Sequence, residues 1–212
     1  MIKLAYCNIE KLNLKRAYRF LPESRKIKVD RFRFEKDKKL SCGAYLLLKK
    51  MLSEIGISNP SFKLGKYGKS YISNYDDIYF NMSHSGKMVA CAISDMEVGV
   101  DVEFNDPAID LNIAKNYFFN EEYESIMKSD NPSDEFFNYW VLKESYMKYT
   151  GLGFNLDLDS FQIVIDDKIT LKNDKDNLKF NLFDVEDYKL AVCSAYDVVK
   201  AEEYKIVGGL II

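Results

Sequence analysis

The stretch Trp140-Val141-Leu142-Lys143-Glu144-Ser145-Tyr146-Met147-Lys148 has helical spacing, and on a helix Trp140, Glu144 and Lys148 share one face. A carboxylate and an ammonium then stand one turn apart beside the only tryptophan of the chain. Some forty residues earlier, Val98-Gly99-Val100-Asp101-Val102-Glu103 alternates as a strand does, with the valines on one face and Gly99, Asp101 and Glu103 on the other. Carboxylates at i and i+2 on one face repel unless a cation or a base stands between them. Oxygen donors at that spacing suit Mg²⁺, which commonly takes one or two carboxylates together with phosphate oxygens. Three carboxylates and a lysine drawn from two elements can therefore build a divalent-cation and phosphate site. The same residues also fit a blander reading, an exposed ion pair on an amphipathic helix and an acidic strand edge facing solvent.

Other residues point to anion binding. The single histidine, His84, lies between two serines in Asn81-Met82-Ser83-His84-Ser85-Gly86, where a turn is expected after a strand containing Tyr79 and Phe80. Hydroxyls, an imidazole and loop N–H groups at a strand end can form an anion pocket, although a lone histidine is usually structural. Adjacent residues cannot set a serine hydroxyl against that imidazole, so no Ser-His-acid triad is implied. In Tyr67-Gly68-Lys69, Gly68 permits close backbone approach and Lys69 can meet a phosphate as a point charge. Arg25 and Lys28 lie three apart on an expected helix, so both can reach one anion or simply form a solvated face. Walker A, Gly-x-Gly-x-x-Gly and His-Glu-x-x-His patterns are absent.

Composition narrows the classes. A chain of 212 residues, 47% hydrophobic, suffices for one large domain or two small ones with a sizeable core. No apolar run is long enough for a transmembrane helix. The start Met1-Ile2-Lys3-Leu4-Ala5-Tyr6-Cys7 turns polar too soon for a signal peptide, so a cytoplasmic protein without a membrane partner is expected. The scattered Cys7, Cys42, Cys91 and Cys193, with one histidine, do not make a usual structural zinc site and read as reduced thiols. The net charge of −3 hides a basic segment, with fourteen Lys/Arg against four Asp/Glu between Lys11 and Lys50. That lobe suits a phosphate-rich ligand or an acidic partner. Its interleaved aromatics, as in Arg31-Phe32-Arg33-Phe34, also have the look of nucleic-acid binding. They equally fit amphipathic helices in a chain that is acidic overall, and no nucleic-acid partner is expected.

The elements that must position these residues follow from periodicity. A strand is expected at 1–7, and helices at 23–33 and 38–55, the second stopped by Gly56. Strands follow near 78–82, 87–94 and 97–103, then helices near 110–117, 121–128 and 133–149, ended at Gly151. Strands return near 160–166, 178–185, 188–196 and 203–208. Each half mixes helices with strands that look antiparallel, an α+β pattern, and no internal repeat is visible.

In order and spacing these pieces resemble the 4′-phosphopantetheinyl transferases of the surfactin-synthetase-activating type. The resemblance runs from about Leu21 to Val192. It is carried by Gly99-Val100-Asp101-Val102-Glu103, by Trp140-x-x-Lys143-Glu144-x-x-x-Lys148, by Asn81-Met82-Ser83-His84-Ser85-Gly86 and by Phe118-Phe119-Asn120-Glu121-Glu122-Tyr123. It implies a phosphopantetheinyl transferase fold, two similar α+β halves (1–103 and 104–212) packed with pseudo-twofold symmetry as a monomer, with coenzyme A between them. It implies Mg²⁺-dependent transfer of 4′-phosphopantetheine from coenzyme A to a serine of an apo carrier protein, releasing adenosine 3′,5′-bisphosphate. The carrier would be an acyl, peptidyl or aryl carrier of fatty-acid, polyketide or nonribosomal-peptide synthesis. By motif match, Asp101, Glu103 and Glu144 would hold the metal and Lys148 would contact the phosphate under attack. Glu122, or its neighbour Glu121, would assist deprotonation of the serine. Ser83, His84 and Lys69 would bind phosphates of coenzyme A, and Arg25 and Lys28, with Lys26 as a competitor, its 3′-phosphate. The family's Gly-Lys-Pro loop is here Gly68-Lys69-Ser70. The alternative is a non-catalytic module that binds coenzyme A or a carrier protein; binding alone would have no need of three carboxylates beside an anion.

Overall fold

Two seven-residue segments, Met88–Ser94 and Tyr188–Ser194, are buried at every position, which a strand achieves only when both its faces are covered. They are the central strands of two sheets around which the rest of the chain is arranged. The computed structural model describes residues 1–198 and 200–212. The first half runs β1 (Ile2–Asn8), α1 (Leu14–Tyr18), α2 (Glu23–Asp30), α3 (Glu35–Glu54), β2 (Phe62–Leu64), β3 (Ser70–Ile72), β4 (Tyr79–Ser85) and β5 (Met88–Ser94). The second runs β6 (Val98–Phe104), α4 (Asn112–Tyr117), α5 (Asn120–Lys128), α6 (Pro132–Thr150), β7 (Ile163–Ile165), β8 (Ile169–Leu171), β9 (Lys179–Val185) and β10 (Tyr188–Ser194). Three short strands close the chain, β11 (Glu202–Glu203), β12 (Ile206–Val207) and β13 (Leu210–Ile211).

The two halves repeat one plan: a strand, a helical stretch ending in a long helix, a short hairpin and a long hairpin. The orders β1-β5-β4 and β6-β10-β9 correspond, and all these pairings are antiparallel. Even a detail repeats: the Asn81 side-chain carbonyl on β4 accepts from Val100 N–H (3.0 Å), and that of Asn181 on β9 accepts from Val198 N–H (2.9 Å). The pseudo-twofold arrangement is therefore present although the sequence shows no repeat. The division falls before β6, because β6 pairs with β10. The expected break between 103 and 104 would cut that strand from its sheet. The C-terminal residues also return to the first half, where β11 lies parallel to β1 and Tyr204, Ile206, Leu210 and Ile211 pack on its core.

Each sheet carries its long helix on one face. Leu47, Leu48, Met51 and Leu52 of α3 cover the first, and Phe136, Val141, Leu142 and Met147 of α6 the second. The other faces meet each other, Leu4, Met88, Ala90 and Ala92 against Val98, Val100, Val102, Leu190 and Val192. With the β6 valines committed to that inter-sheet layer, Gly99, Asp101 and Glu103 must face α6. Asn131 caps the start of α6 ahead of Pro132, and Gly151 ends it at a left-handed φ of 71°.

Several boundaries differ from the sequence reading. β4 continues through Ser83, His84 and Ser85, which pair with Ala90, Val89 and Met88, so the expected turn shrinks to Gly86-Lys87. A two-residue connection supplies more ladder hydrogen bonds than a wide loop. α2 ends at Asp30, and α1, β2, β3 and β8 are too short for periodicity to reveal. All four cysteines are buried and unpaired. Among the described residues, no helix is long and apolar enough to cross a membrane.

At Gly99 the backbone of β6 lies directly against α6. A Cβ there would lie 2.0 Å from the Ser145 carbonyl oxygen and 2.3 Å from the Tyr149 nitrogen. Neither backbone atom can yield without moving the helix. Gly99→Ala is expected to lower unfolding free energy by about 3 kcal/mol in chemical denaturation; a midpoint unchanged from wild type would contradict this packing.

Candidate active site

Because Gly99 lets α6 lie against β6, the next residues on that face meet the helix. Asp101 is 1% exposed. Its Oδ1 accepts from Lys148 Nζ and, at 2.7 Å, from the Ser83 hydroxyl, to which Lys148 also donates at 2.9 Å. Its Oδ2 is buried with no hydrogen-bond partner, an expensive state for a carboxylate oxygen. Glu103 stands two residues along the strand and Glu144 one helical turn before Lys148. Burial, then the charge of Asp101, pushes the Glu103 carboxyl up to about 7, against the opposing effects of Ser85 and Lys148. Burial, then Asp101, also raises Glu144. Three carboxylates thus sense one another around a single ammonium, a surplus of negative charge that a dication would relieve. The buried, unpartnered Oδ2 of Asp101 and the all-oxygen donor set fit Mg²⁺ chemically. As the side chains stand, with Lys148 on Asp101, no three His, Cys, Asp or Glu among the described residues are arranged to hold a metal ion.

A pocket of about 210 Å³ opens beside this cluster, lined by Arg25, Lys28, Ser41, Asn81 and His84 among others. Arg25 and Lys28 come from one face of α2, as their spacing implies, and the Arg25 guanidinium lies 5.3 Å from the Tyr45 ring centroid. Burial, then Arg25, lowers the Lys28 pKa. Burial lowers His84, against the backbone hydrogen bond it makes, and the charges of Lys148 and Lys28 add to the lowering. The pocket and the carboxylates adjoin through β4, where His84 lines the pocket and its neighbour Ser83 bonds Asp101 and Lys148. Strand alternation divides the serine-histidine-serine run between them: Ser83 and Ser85 turn to Asp101 and Glu103, whereas His84 lines the pocket. Ser85, whose oxygen also accepts from Phe104 N–H at 3.2 Å, is a site residue the sequence reading passed over. Its signal was the two-residue spacing from Ser83.

Four residues stand elsewhere than the sequence reading expects. Glu122 is 1% exposed and lies outside the cluster. It pairs with buried Lys143 at 2.9 Å and accepts from the N–H groups of Phe119 (3.0 Å) and Ile163 (2.7 Å). Lys143 in turn donates to the carbonyls of Leu158 and Phe161, both at 2.8 Å. With its oxygens enclosed and engaged, Glu122 braces the second core; Glu121 is exposed. Lys69 borders the pocket, but its ammonium is held by Glu97 (2.6 Å) and by the carbonyls of Val98 (3.1 Å) and Tyr149 (3.0 Å). Ser83 holds Asp101 and Lys148 together instead of lining the pocket. Trp140, expected beside Glu144, stacks on Phe136 and Phe118 in the core.

Residues 9–96 match the family model described as 4′-phosphopantetheinyl transferase, N-terminal, and residues 97–193 that of the 4′-phosphopantetheinyl transferase superfamily. The two matches meet where β6 begins. The 4′-phosphopantetheinyl transferase Sfp of Bacillus subtilis strain 168 is 32% identical over 187 residues, covering 84% of this chain and 83% of that protein. The 4′-phosphopantetheinyl transferase gsp of Aneurinibacillus migulanus is 34% identical over 167 residues, 74% of this chain and 68% of that one. Another 4′-phosphopantetheinyl transferase of Bacillus subtilis is 37% identical over 143 residues, and there the match spans 64% of this chain and 63% of the relative. The chain belongs to the 4′-phosphopantetheinyl transferase superfamily and is an enzyme of its Sfp type, as its motifs implied.

Two outcomes test this geometry. Glu122→Gln should lower stability by about 3 kcal/mol, since it leaves Lys143 buried and unpaired, yet keep turnover within a few-fold of wild type at low temperature. A hundredfold loss of turnover at unchanged stability would restore Glu122 to the chemistry. The second concerns pH. The folded Glu103 holds its proton to about 7, above the ordinary glutamate value of 4.5. Between those values the native state binds more protons than the unfolded chain, so this group's contribution to stability falls as pH rises. In metal-free protein, Glu103→Gln should therefore gain stability relative to wild type from pH 4.5 to 7, by urea denaturation; a pH-independent difference would contradict the raised value.

Proposed function

We propose that the chain transfers 4′-phosphopantetheine from coenzyme A to a serine hydroxyl of an apo carrier protein (acyl, peptidyl or aryl) and releases adenosine 3′,5′-bisphosphate. The observation that carries this reading is the junction of a basic anion pocket with a carboxylate cluster along β4, where His84 lines the pocket and the adjacent Ser83 bonds Asp101 and Lys148. A diphosphate ester laid across that junction would meet cations at one end and a dication site at the other. In this reading Arg25 and Lys28 take the 3′-phosphate, and His84 offers a hydrogen bond to a phosphate oxygen. Asp101, through its free Oδ2, and Glu103 and Glu144, after rotation of their partly exposed side chains, would hold Mg²⁺. The metal would neutralise pyrophosphate charge and orient the leaving group. Lys148 exchanges Asp101 for the phosphoryl group under attack, while Ser83 keeps Asp101 in place.

Phosphoryl transfer asks a protein mainly for positioning and charge neutralisation. The nucleophile belongs to the carrier, which accounts for a site without a nucleophilic Ser or Cys. The two sides of the site come from the two halves of one chain, which supports action as a monomer. Four unpaired thiols fit the cytoplasm.

Apo carrier protein incubated with coenzyme A and Mg²⁺ should gain one phosphopantetheine in intact-protein mass. Glu144→Ala should cut the rate by about 10³-fold or more while the protein stays folded. No gain on any of a panel of carriers, or full activity in the variant, would overturn the reading.

A further inference from the structure

We propose that Lys69 is a positioning residue for Lys148, forming with Glu97 a clasp across the two halves, and is not a ligand of coenzyme A phosphate. The inference rests on the transferase reading above. An ammonium has three N–H donors, and those of Lys69 meet three acceptors: Glu97 Oε2 at 2.6 Å, the Val98 carbonyl at 3.1 Å and the Tyr149 carbonyl at 3.0 Å. A phosphate could be contacted only by giving one of them up. Val98 and Tyr149 belong to the second half and Glu97 to the turn that leads into it, although Lys69 sits in the β2–β3 connection of the first.

The acceptors are also where the site is assembled. Tyr149 follows Lys148 in the last turn of α6, whose carbonyls have no partners within the helix and attract a cation. Val98 precedes Gly99, the point at which β6 touches α6. The Lys69 stem covers the residue that ends the helix: a Cβ on Gly151 would lie 3.2 Å from Lys69 Cδ. Gly68, at a left-handed φ of 89°, turns the loop so that Lys69 enters this seam. One side chain therefore fixes the end of α6 to the start of β6 and to the loop that borders the anion pocket. Without it the last turn of α6 loses its cap, and Lys148 its fixed distance from the pocket. Displacements of about 1 Å can cost up to about 10²-fold in rate.

The test is steady-state transfer to a carrier protein, with coenzyme A varied, for Lys69→Met, Lys69→Arg, Glu97→Gln and the double variant Lys69→Met/Glu97→Gln. The clasp requires kcat to fall about tenfold or more in Lys69→Met, with KM for coenzyme A within threefold of wild type. Glu97→Gln should move the same way by less, the double variant should be no worse than Lys69→Met, and Lys69→Arg should recover most of kcat. A tenfold rise in KM for Lys69→Met with Glu97→Gln at wild-type values would make Lys69 a phosphate ligand and overturn the clasp. So would unchanged kcat and KM beside a lowered melting temperature, which would make the contact purely structural. If wild-type protein shows no turnover, the transferase reading fails, and thermal unfolding of the same four variants judges the clasp: additive shifts for Lys69 and Glu97 overturn it.

Discussion

Everything at the site follows from how closely a helix can lie on a strand. At Gly99 the backbone of α6 comes within the space that any side chain would fill. That approach sets Glu144 and Lys148 opposite Asp101 and Glu103. The repulsion among those carboxylates is tolerated because the same contact brings one ammonium into their midst, and because the valines between them are fixed in the inter-sheet layer. The local cost is visible in the orphaned Asp101 Oδ2 and in the raised Glu103 and Glu144. Charge strain of this kind marks places where a ligand is expected to supply what the protein withholds.

The duplicated plan gives the site its two-sided character. The first half contributes the basic α2 and the edge strand β4, and the second contributes the acids of β6 and α6. Ser83 lies at the seam, bonded to Asp101 across it, and Lys148 reaches back from the second half to the same hydroxyl. In the proposed reading a polyanion held by the first half would thereby be presented to the acids of the second.

The strand 98–104 and the helix ending near 150 were legible in the sequence because alternation and the four-residue helical repeat are local rules. They named Asp101, Glu103, Glu144 and Lys148 without tertiary information. Residue type and spacing also singled out His84, Arg25 and Lys28, which line one pocket; the resemblance only assigned them to phosphates of coenzyme A. It misled where a motif residue is spent on the scaffold. Glu122 and Lys143 neutralise each other inside the second core, a pairing that sequence distance conceals, although Val141 and Leu142 beside Lys143 mark an inward-facing stretch of helix. Lys69 looked like a phosphate contact because a basic glycine loop invites that reading; its acceptors lie 28 and more residues away. The pseudo-symmetry was invisible because the halves share roles, such as those of Asn81 and Asn181, and not residue patterns.

The central claim is that the acids of β6 and α6 share one dication with the diphosphate of coenzyme A. Electron–nuclear double resonance on Mn²⁺-loaded protein with coenzyme A measures it most directly. The account requires phosphorus hyperfine coupling to the bound Mn²⁺ in wild-type protein and its loss in Asp101→Asn. Mn²⁺ bound with no phosphorus coupling, or coupling unchanged in that variant, would contradict it.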